Sequence, residues 1–449
     1  MNVIIYGAGK AGQYLTRVLT MEGHELTVIE PNIATCEKLR SLYDISLIES
    51  GGIRRDVFNQ EIFESCELFI AVGPVDEMNI MACSVAKKVG AEKTVARVRN
   101  EEFARMNNLV DLHSLGVDLV IHPEKELAKE LLNLVLHPNA IDVYELYGGK
   151  ILIVSLIIKE DSQIIGKSLA NISKIYDLSN TRAVVVEKGP KIIIPRGNYI
   201  VKAGDKVYAI AQEENVATAF KVAGYKEEKN KDIMINGCGT IAQTIAEALE
   251  KTGKFNTKII VNDETKANLF SESFPNSLVV YGEATEVDIL AAEGIIDMDF
   301  FLALTDNDEA NMVSSLLANH LQVKKTITLI EKTDYFPITK IIGLQRCINS
   351  SIVTSNAIMR FVRHGNILSS SMLKGIDVEV ITFKITDKNR YLEIPLHKIK
   401  LPKNCIIGVV VRNGRTFVPA GKSKIKPGDE IVIFAERASV LEVEEMFAR

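Results

Sequence analysis

Short apolar runs, bounded by glycine and polar turns, recur along this chain. Between them lie longer stretches whose apolar residues return every three to four positions. In the first third the short runs fall at 3–6, 26–30, 68–72, 94–98 and 117–121, and the stretches separating them carry the period of amphipathic helices. Strand alternating with helix requires a parallel sheet covered on both faces. The character then changes. Runs at 151–159, 182–187, 191–195 and 206–211 are separated by Gly and Pro turns, the pattern of a small antiparallel or mixed domain.

From residue 232 the whole order begins again. Asn2-Val-Ile-Ile-Tyr-Gly-Ala-Gly-Lys-Ala-Gly12 returns as Asp232-Ile-Met-Ile-Asn-Gly-Cys-Gly-Thr-Ile-Ala242. Glu67-Leu-Phe-Ile-Ala-Val72 returns as Asp299-Phe-Phe-Leu-Ala-Leu304, and Asp76-Glu-Met-Asn79 as Asp308-Glu-Ala-Asn311. Lys202-Ala-Gly-Asp205 returns as Lys426-Pro-Gly-Asp429. Matches in the same order mean one two-part unit used twice. Strands at 258–261, 277–281 and 300–304, then 378–385, 406–412 and 430–435, complete the second copy. The predicted fold is α/β: two tandem Rossmann-like, doubly wound parallel-sheet domains at 1–137 and 228–368, each followed by a small α+β domain, at 138–227 and 369–449.

Between the two parts of the first unit, Leu127, Leu131, Leu132, Leu134 and Val135 form an apolar stripe on a helix predicted over 123–137. That stripe either faces its own core or belongs to a helix that crosses over to a second subunit. The charged stretch 226–231 reads as a linker between units.

Composition narrows the function. A chain of 449 residues exceeds one core, and about 100–200 residues per domain gives two to four domains. A net charge of −5 argues against nucleic acid as a main partner, since phosphate binding draws on a basic surface. The longest apolar run, 151–158, is broken by Ser155 and falls short of the roughly 20 residues of a membrane-crossing helix. Met1-Asn-Val-Ile-Ile5 runs straight into a glycine turn, with no signal-peptide pattern, so any membrane role is expected to come through a partner. The six cysteines form no C-x-x-C pair; buried thiols are expected rather than disulfides or zinc.

The candidate chemistry lies in the two glycine loops. Gly7-Ala8-Gly9-Lys10-Ala11-Gly12 follows a strand and opens a helix at 10–20, the setting in which G-x-G-x-x-G gains meaning. Gly7 permits the tight turn, Gly9 lets the backbone approach a pyrophosphate, and Gly12 allows close helix–strand packing. The helix amino end then offers N–H groups and a positive dipole to the phosphates. Glu30, at the end of the second strand, can accept from both ribose hydroxyls and repels a 2′-phosphate, which favours NAD(H) over NADP(H) and also suits the ribose of ATP or ADP. Arg97 and Arg99 share one face of the fifth strand and can reach the phosphates, or else pair with Glu101 or Glu102. In the second loop, Gly237-Cys238-Gly239-Thr240-Ile241, the ribose position is read as Asn262, and Leu329 and Glu331 stand opposite Arg97 and Arg99. Asp76-Glu77 and Asp308-Glu309 read as acidic complements to a helix dipole.

These residues carry a family resemblance that covers essentially the whole chain. Gly282-Glu-Ala-Thr285, Asp288-Ile-Leu290, Glu293-Gly-Ile295, Phe301-Leu-Ala-Leu-Thr305 and Asp308-Glu-Ala-Asn311 are similar to the G-D-A-T…L…A-G-I…D-E-x-N signature of the TrkA family, regulatory subunits of Trk potassium uptake systems built of two RCK (KTN) units. Ala96-Arg-Val-Arg-Asn100 and the block 356–365 also match. The resemblance implies RCK-N and RCK-C domains, and NAD(H), ATP or ADP held through residues 7–11, Glu30, Gly73, Pro74 and Arg97, with 237–241, Asn262 and Thr305 matching in the second unit. It also implies a homo-oligomer, a tetramer or ring, at the cytoplasmic face of the membrane, docked on a Trk-type channel subunit. The sequence departs from the pattern at Ser50-Gly-Gly-Ile53 in place of G-D-A-T, at Gly73-Pro74 in place of small hydroxyl residues, and at Glu283 in place of Asp.

A dehydrogenase with two Rossmann folds is the alternative. Hydride transfer needs a proton donor or acceptor beside the nicotinamide, and the seven histidines form no paired motif with Asp or Glu. A nucleotide-sensing regulatory subunit, not an enzyme, is the expectation.

Overall fold

The computed structural model describes all residues except 59–60, 101–102, 104–110, 177, 179, 190, 227–230, 345, 363–366, 374–375 and 448–449. Most of the 226–231 stretch, Glu101, Glu102 and the end of the 356–365 block therefore lie outside the described residues. The chain divides into two compact units. One joins residues 1–129 with 232–362; the other joins 130–231 with 363–449.

In the first unit, β1 (Asn2–Tyr6), β2 (Glu25–Ile29), β3 (Ser46–Ile48), β4 (Leu68–Ala71), β5 (Lys93–Arg97) and β6 (Leu119–Ile121) form a sheet ordered β3-β2-β1-β4-β5-β6, with every pairing parallel. The central strands β1, β4 and β5 are buried on both faces, whereas the edge strand β3 is not, and side-chain alternation sorts the central residues between two cores. Ile4, Tyr6, Phe69, Ala71 and Ala96 enter one core. Val3, Ile5, Leu68, Ile70 and Val95 enter the other. Chain order reverses between β1 and β4, and such a switch point opens a crevice at the carboxyl ends of the strands.

The second half repeats this. Strands β12 (Asp232–Asn236), β13 (Asn256–Val261), β14 (Leu278–Tyr281), β15 (Phe300–Ala303), β16 (Lys325–Leu329) and β17 (Cys347–Ile348) are ordered β14-β13-β12-β15-β16-β17, again parallel. The helix Ser350–Val362 opens at Asn349, whose side-chain oxygen accepts from Ile352 N at 2.8 Å. Its Ala357, Ile358 and Met359 are buried among Leu15, Leu19 and Val95 of the first sheet. Lys93 Nζ lies 5.1 Å from the Phe361 ring centroid. This helix thus crosses from the second Rossmann-like domain to the first within one chain. The corresponding helix of the first half, Pro123–Leu136, buries Leu127, Leu131, Leu134 and Val135 of its expected stripe and leaves Leu132 half-buried.

In the second unit, the strands are β7 (Val143–Leu146), β8 (Ile151–Ile157), β9 (Thr181–Lys188), β10 (Lys191–Ile193) and β11 (Lys206–Gln212). Their sheet is β7-β8-β11-β9-β10, antiparallel throughout. Strands β18 (Ile367–Met372), β19 (Val378–Lys384), β20 (Cys405–Arg412), β21 (Arg415–Phe417) and β22 (Glu430–Glu436) reproduce that order. The two sheets share one core, in which Ile153, Tyr208 and Ile210 meet Val380, Val409 and Phe434. A Cβ on Gly408 would lie 2.5 Å from a Phe434 ring carbon, so glycine is required there for close packing. The repeated Lys-x-Gly-Asp is a self-capped turn. Asp205 accepts from Lys202 N at 2.9 Å, and Asp429 from Lys426 N at 2.8 Å.

The inter-domain helix yields a stability prediction. Ile358 is fully buried, so Ile358→Ala should lower unfolding stability by about 2–4 kcal/mol, read by denaturant titration of the full chain.

Candidate functional site

The crevice of the first domain is built by three glycines with different reasons to be glycine. Gly7 ends β1 with φ +96°, and its N–H donates to the Ile29 carbonyl at 2.9 Å. A Cβ there would sit 2.8 Å from the Gly73 backbone. At Gly12 a Cβ would lie 2.0 Å from the Gly7 carbonyl oxygen. Gly9 is different. Its φ is −63°, open to any residue, and no atom lies within 4 Å of where its Cβ would be. Neither the turn nor the packing asks for glycine at this position. Gly9 caps the helix Lys10–Met21 with no side-chain hydrogen bond, and no acidic residue occupies the first turn. The helix amino end therefore faces the crevice with its N–H groups and dipole uncompensated by side chains. Ala8 is buried in the loop and Ala11 in the first turn of the helix, and Lys10 is exposed at the head of the helix.

Glu30 stands where the sequence places it. One carboxylate oxygen accepts from Ala8 N at 2.6 Å and the other from Asn32 N at 3.0 Å, which fixes the group beside the loop at the end of β2. Gly73 and Pro74 follow β4. Gly73 packs against Tyr6, where a Cβ would lie 3.3 Å from the ring.

Asn79, fully buried, ties this side of the crevice together by donating to the carbonyls of Gly73 at 3.0 Å and Arg97 at 2.8 Å. Arg97 Nη2 donates to the Gly73 carbonyl at 2.9 Å. Burial, and then the neighbouring Arg99, lower the Arg97 pKa from its ordinary value. The Arg99 guanidinium lies 3.7 Å from the Glu124 carboxylate, whose pKa burial raises despite the two arginines. Asp76 does more than complement a dipole. Its carboxylate accepts from Arg99 N at 2.8 Å and Asn100 N at 2.7 Å, clamping the turn after β5. Among the described residues, Asp76 Oδ1, Asn79 Oδ1, Arg97 Nε and Glu124 Oε2 are buried without a hydrogen-bond partner, whereas buried polar atoms in folded proteins are nearly always paired. Asn79 and Glu124 were not among the expected site residues, although the repeat of Asp-Glu-x-Asn carried the signal for Asn79.

The second crevice has the same frame. Gly237, φ +133°, donates to the Ile260 carbonyl at 3.0 Å, and its Cβ would meet the Leu304 carbonyl at 2.7 Å. Gly239, like Gly9, has open space around it, and Thr240 and Ile241 begin the helix Thr240–Thr252. Cys238 is half-buried, and burial raises its thiol pKa. All six cysteines are free, and burial pushes the Cys66 and Cys405 thiols up to about 12.

One expected residue is displaced. Tyr6 pairs with Ile29, and Asn236 with Ile260, while the helix caps Asn32 and Asp263 each follow three residues later. The counterpart of Glu30 is therefore the fully buried Val261, not Asn262. Asn262 matches Pro31, and its amide donates to Glu283 at 3.3 Å. The register also sets Thr305 opposite Gly73, Leu329 opposite Arg97 and Glu331 opposite Arg99. Thr305 N and Oγ1 both donate to Asn311 Oδ1, at 2.9 and 2.7 Å.

Comparison with known proteins matches this arrangement along the chain. A TrkA-N domain model matches residues 3–123 and 233–350, and a TrkA-C domain model matches 153–224 and 380–448. Trk system potassium uptake protein TrkA homolog 1 of Methanosarcina mazei is 30% identical over 454 residues, covering 100% of each chain. The TrkA homolog of Archaeoglobus fulgidus is 30% identical over 447 residues, also covering 100% of each. Among solved structures, the GsuK channel bound to NAD superposes with a TM-score of 0.62 at 15% identity, over 99% of this chain and 78% of that one.

The glycine geometry makes a paired prediction. Gly9→Ala should leave thermal unfolding essentially unchanged, whereas Gly12→Ala should destabilise by about 1–3 kcal/mol or more through its clash with the Gly7 carbonyl.

Proposed function

We propose, from the premise that this chain belongs to the TrkA family, that it is the nucleotide-sensing regulatory subunit of a Trk-type potassium uptake system. The observation that carries the nucleotide reading is the unfilled space at Gly9, in front of a helix amino end with no side-chain cap, together with Glu30 and Arg97 on either side of it. A diphosphate placed there meets backbone N–H groups and the helix dipole. Glu30 accepts from the ribose hydroxyls once the ligand displaces its bond to Ala8 N. Arg97, held by the Gly73 carbonyl and with Nε unpaired, supplies charge toward the phosphates. NAD(H), ATP and ADP all present this ribose–diphosphate core.

The regulatory step is a shift between two shapes of an assembled ring of chains, docked on a membrane channel subunit from the cytoplasmic side. No described helix is long and apolar enough to cross a membrane, in keeping with action through a partner. A ligand shifts such an equilibrium only through different affinities for the two shapes. Moving it from 1:99 to 99:1 takes about 5.5 kcal/mol, which a symmetric ring can gather over several sites. In this reading the nucleotide is an effector and undergoes no reaction. The dehydrogenase alternative predicts steady absorbance change with NAD⁺ or NADH over a substrate panel; the regulatory reading predicts saturable binding without turnover.

Calorimetric titration of the full chain with NAD⁺, NADH, ADP and ATP tests the proposal. Gly9→Asp should abolish binding, and Arg97→Ala should weaken it by about 10–100-fold, the loss of one charge-assisted contact. Equal affinity in Gly9→Asp and the parent would refute it.

A further inference from the structure

The two crevices share a backbone frame and differ in nearly every group that touches the ligand space. Strand register makes the comparison position by position. Lys10 corresponds to Thr240, Glu30 to Val261, Arg97 to Leu329 and Arg99 to Glu331. At these positions the first crevice has three cations and a ribose acceptor; the second has no cation and one carboxylate. Asp306, in the position of Pro74, adds a further carboxylate beside the second loop. Lys266 is a cation near Cys238 there, offset by Asp263 and Asp306, and Lys332, next to Glu331, is paired with Glu309 at 2.6 Å.

Hydrogen-bond satisfaction divides the crevices in the same way. Arg97 Nε, Asp76 Oδ1 and Asn79 Oδ1 are buried without partners in the first. Their counterparts are satisfied or apolar. Asn311 Oδ1 accepts from Thr305 N and Oγ1. Both Asp308 oxygens accept, from Glu331 N and Lys332 N at 2.8 Å each. Leu329 is buried and has no polar atom to satisfy. Among the described residues, the first frame is left open to further polar contacts and the second is closed on itself.

We propose that nucleotide is held in the first crevice alone, and that the second is a closed copy whose role is to present the helix Ser350–Val362 to the first domain. The inference rests on the nucleotide reading of the first crevice. Its physical basis is that a diphosphate entering the second crevice would meet the exposed Asp306 and, beside it, Glu331, whose Oε1 accepts from Ser350 N at 3.4 Å, with Leu329 in place of an arginine; its ribose would meet Val261 rather than a carboxylate. Like charges with no arginine to offset them discriminate strongly against a ligand. Each chain is then a one-site sensor despite two glycine loops, and a ring carries half as many nucleotides as Rossmann-like domains.

Calorimetry on the full chain with ATP and with NADH, backed by melting curves for every variant, tests this. The expected stoichiometry is one nucleotide per chain. Gly239→Asp should hold affinity within about twofold of the parent, and Gly9→Asp should remove all binding. Two nucleotides per chain, saturable binding that survives in Gly9→Asp, or a halved stoichiometry in folded Gly239→Asp would overturn the inference. Absence of heat with any nucleotide would instead overturn the underlying reading of the first crevice.

Discussion

The close approach of the β1 turn to the end of β4 is the constraint on which the rest of this structure depends. Gly7 lies so near Gly73, and Gly237 so near Leu304, that a single added methyl group would collide with backbone. Because the two turns touch, the following helix must start directly above the switch point of the sheet, aimed into the crevice. Gly12 and the small Ala242 keep that helix close to the strand. The groups that specify a ligand are then placed by the same scaffold: Glu30 through its bond to Ala8, and Arg97 through the Gly73 carbonyl and Asn79.

Most of this frame was legible in the sequence because it is written in backbone requirements. Apolar runs of strand length and glycines at fixed offsets do not depend on distant context, and their repetition in order exposed both Rossmann-like domains. What was missed lacks such a signature. β3 and β21 have only three residues each, β7 is half-exposed, and β18 carries three consecutive serines, so none shows a long apolar run. The sequence points to Asn262, one residue late, because it offers a polar residue at that distance from the loop. Only pairing of Asn236 with Ile260 reveals that Val261 is the counterpart of Glu30. The unpaired atoms of Asp76, Asn79, Arg97 and Glu124 belong to three separate segments, and only the tertiary fold brings them together.

Duplication explains how such divergence can be tolerated. The helix Ser350–Val362 contributes Ala357, Ile358 and Met359 to the core of the first domain, so the second domain is needed for packing whether or not it binds a ligand. The small domains show a parallel case, with two sheets of identical topology closing on one shared core. A domain that packs in this way keeps its place in the core whatever charges line its own crevice. Leu329 and Glu331 in place of two arginines are substitutions that leave the frame intact and change the chemistry.

Hydrogen exchange of the full chain, followed by mass spectrometry with and without saturating ATP or NADH, tests the central claim most directly, because it reports on both loops in one experiment. The account predicts slowed exchange in segments 7–13, 73–79 and 97–100, with segment 237–243 unchanged. Slowed exchange in 237–243, whether or not 7–13 is also slowed, or no change in 7–13 under conditions of saturating nucleotide, would contradict it.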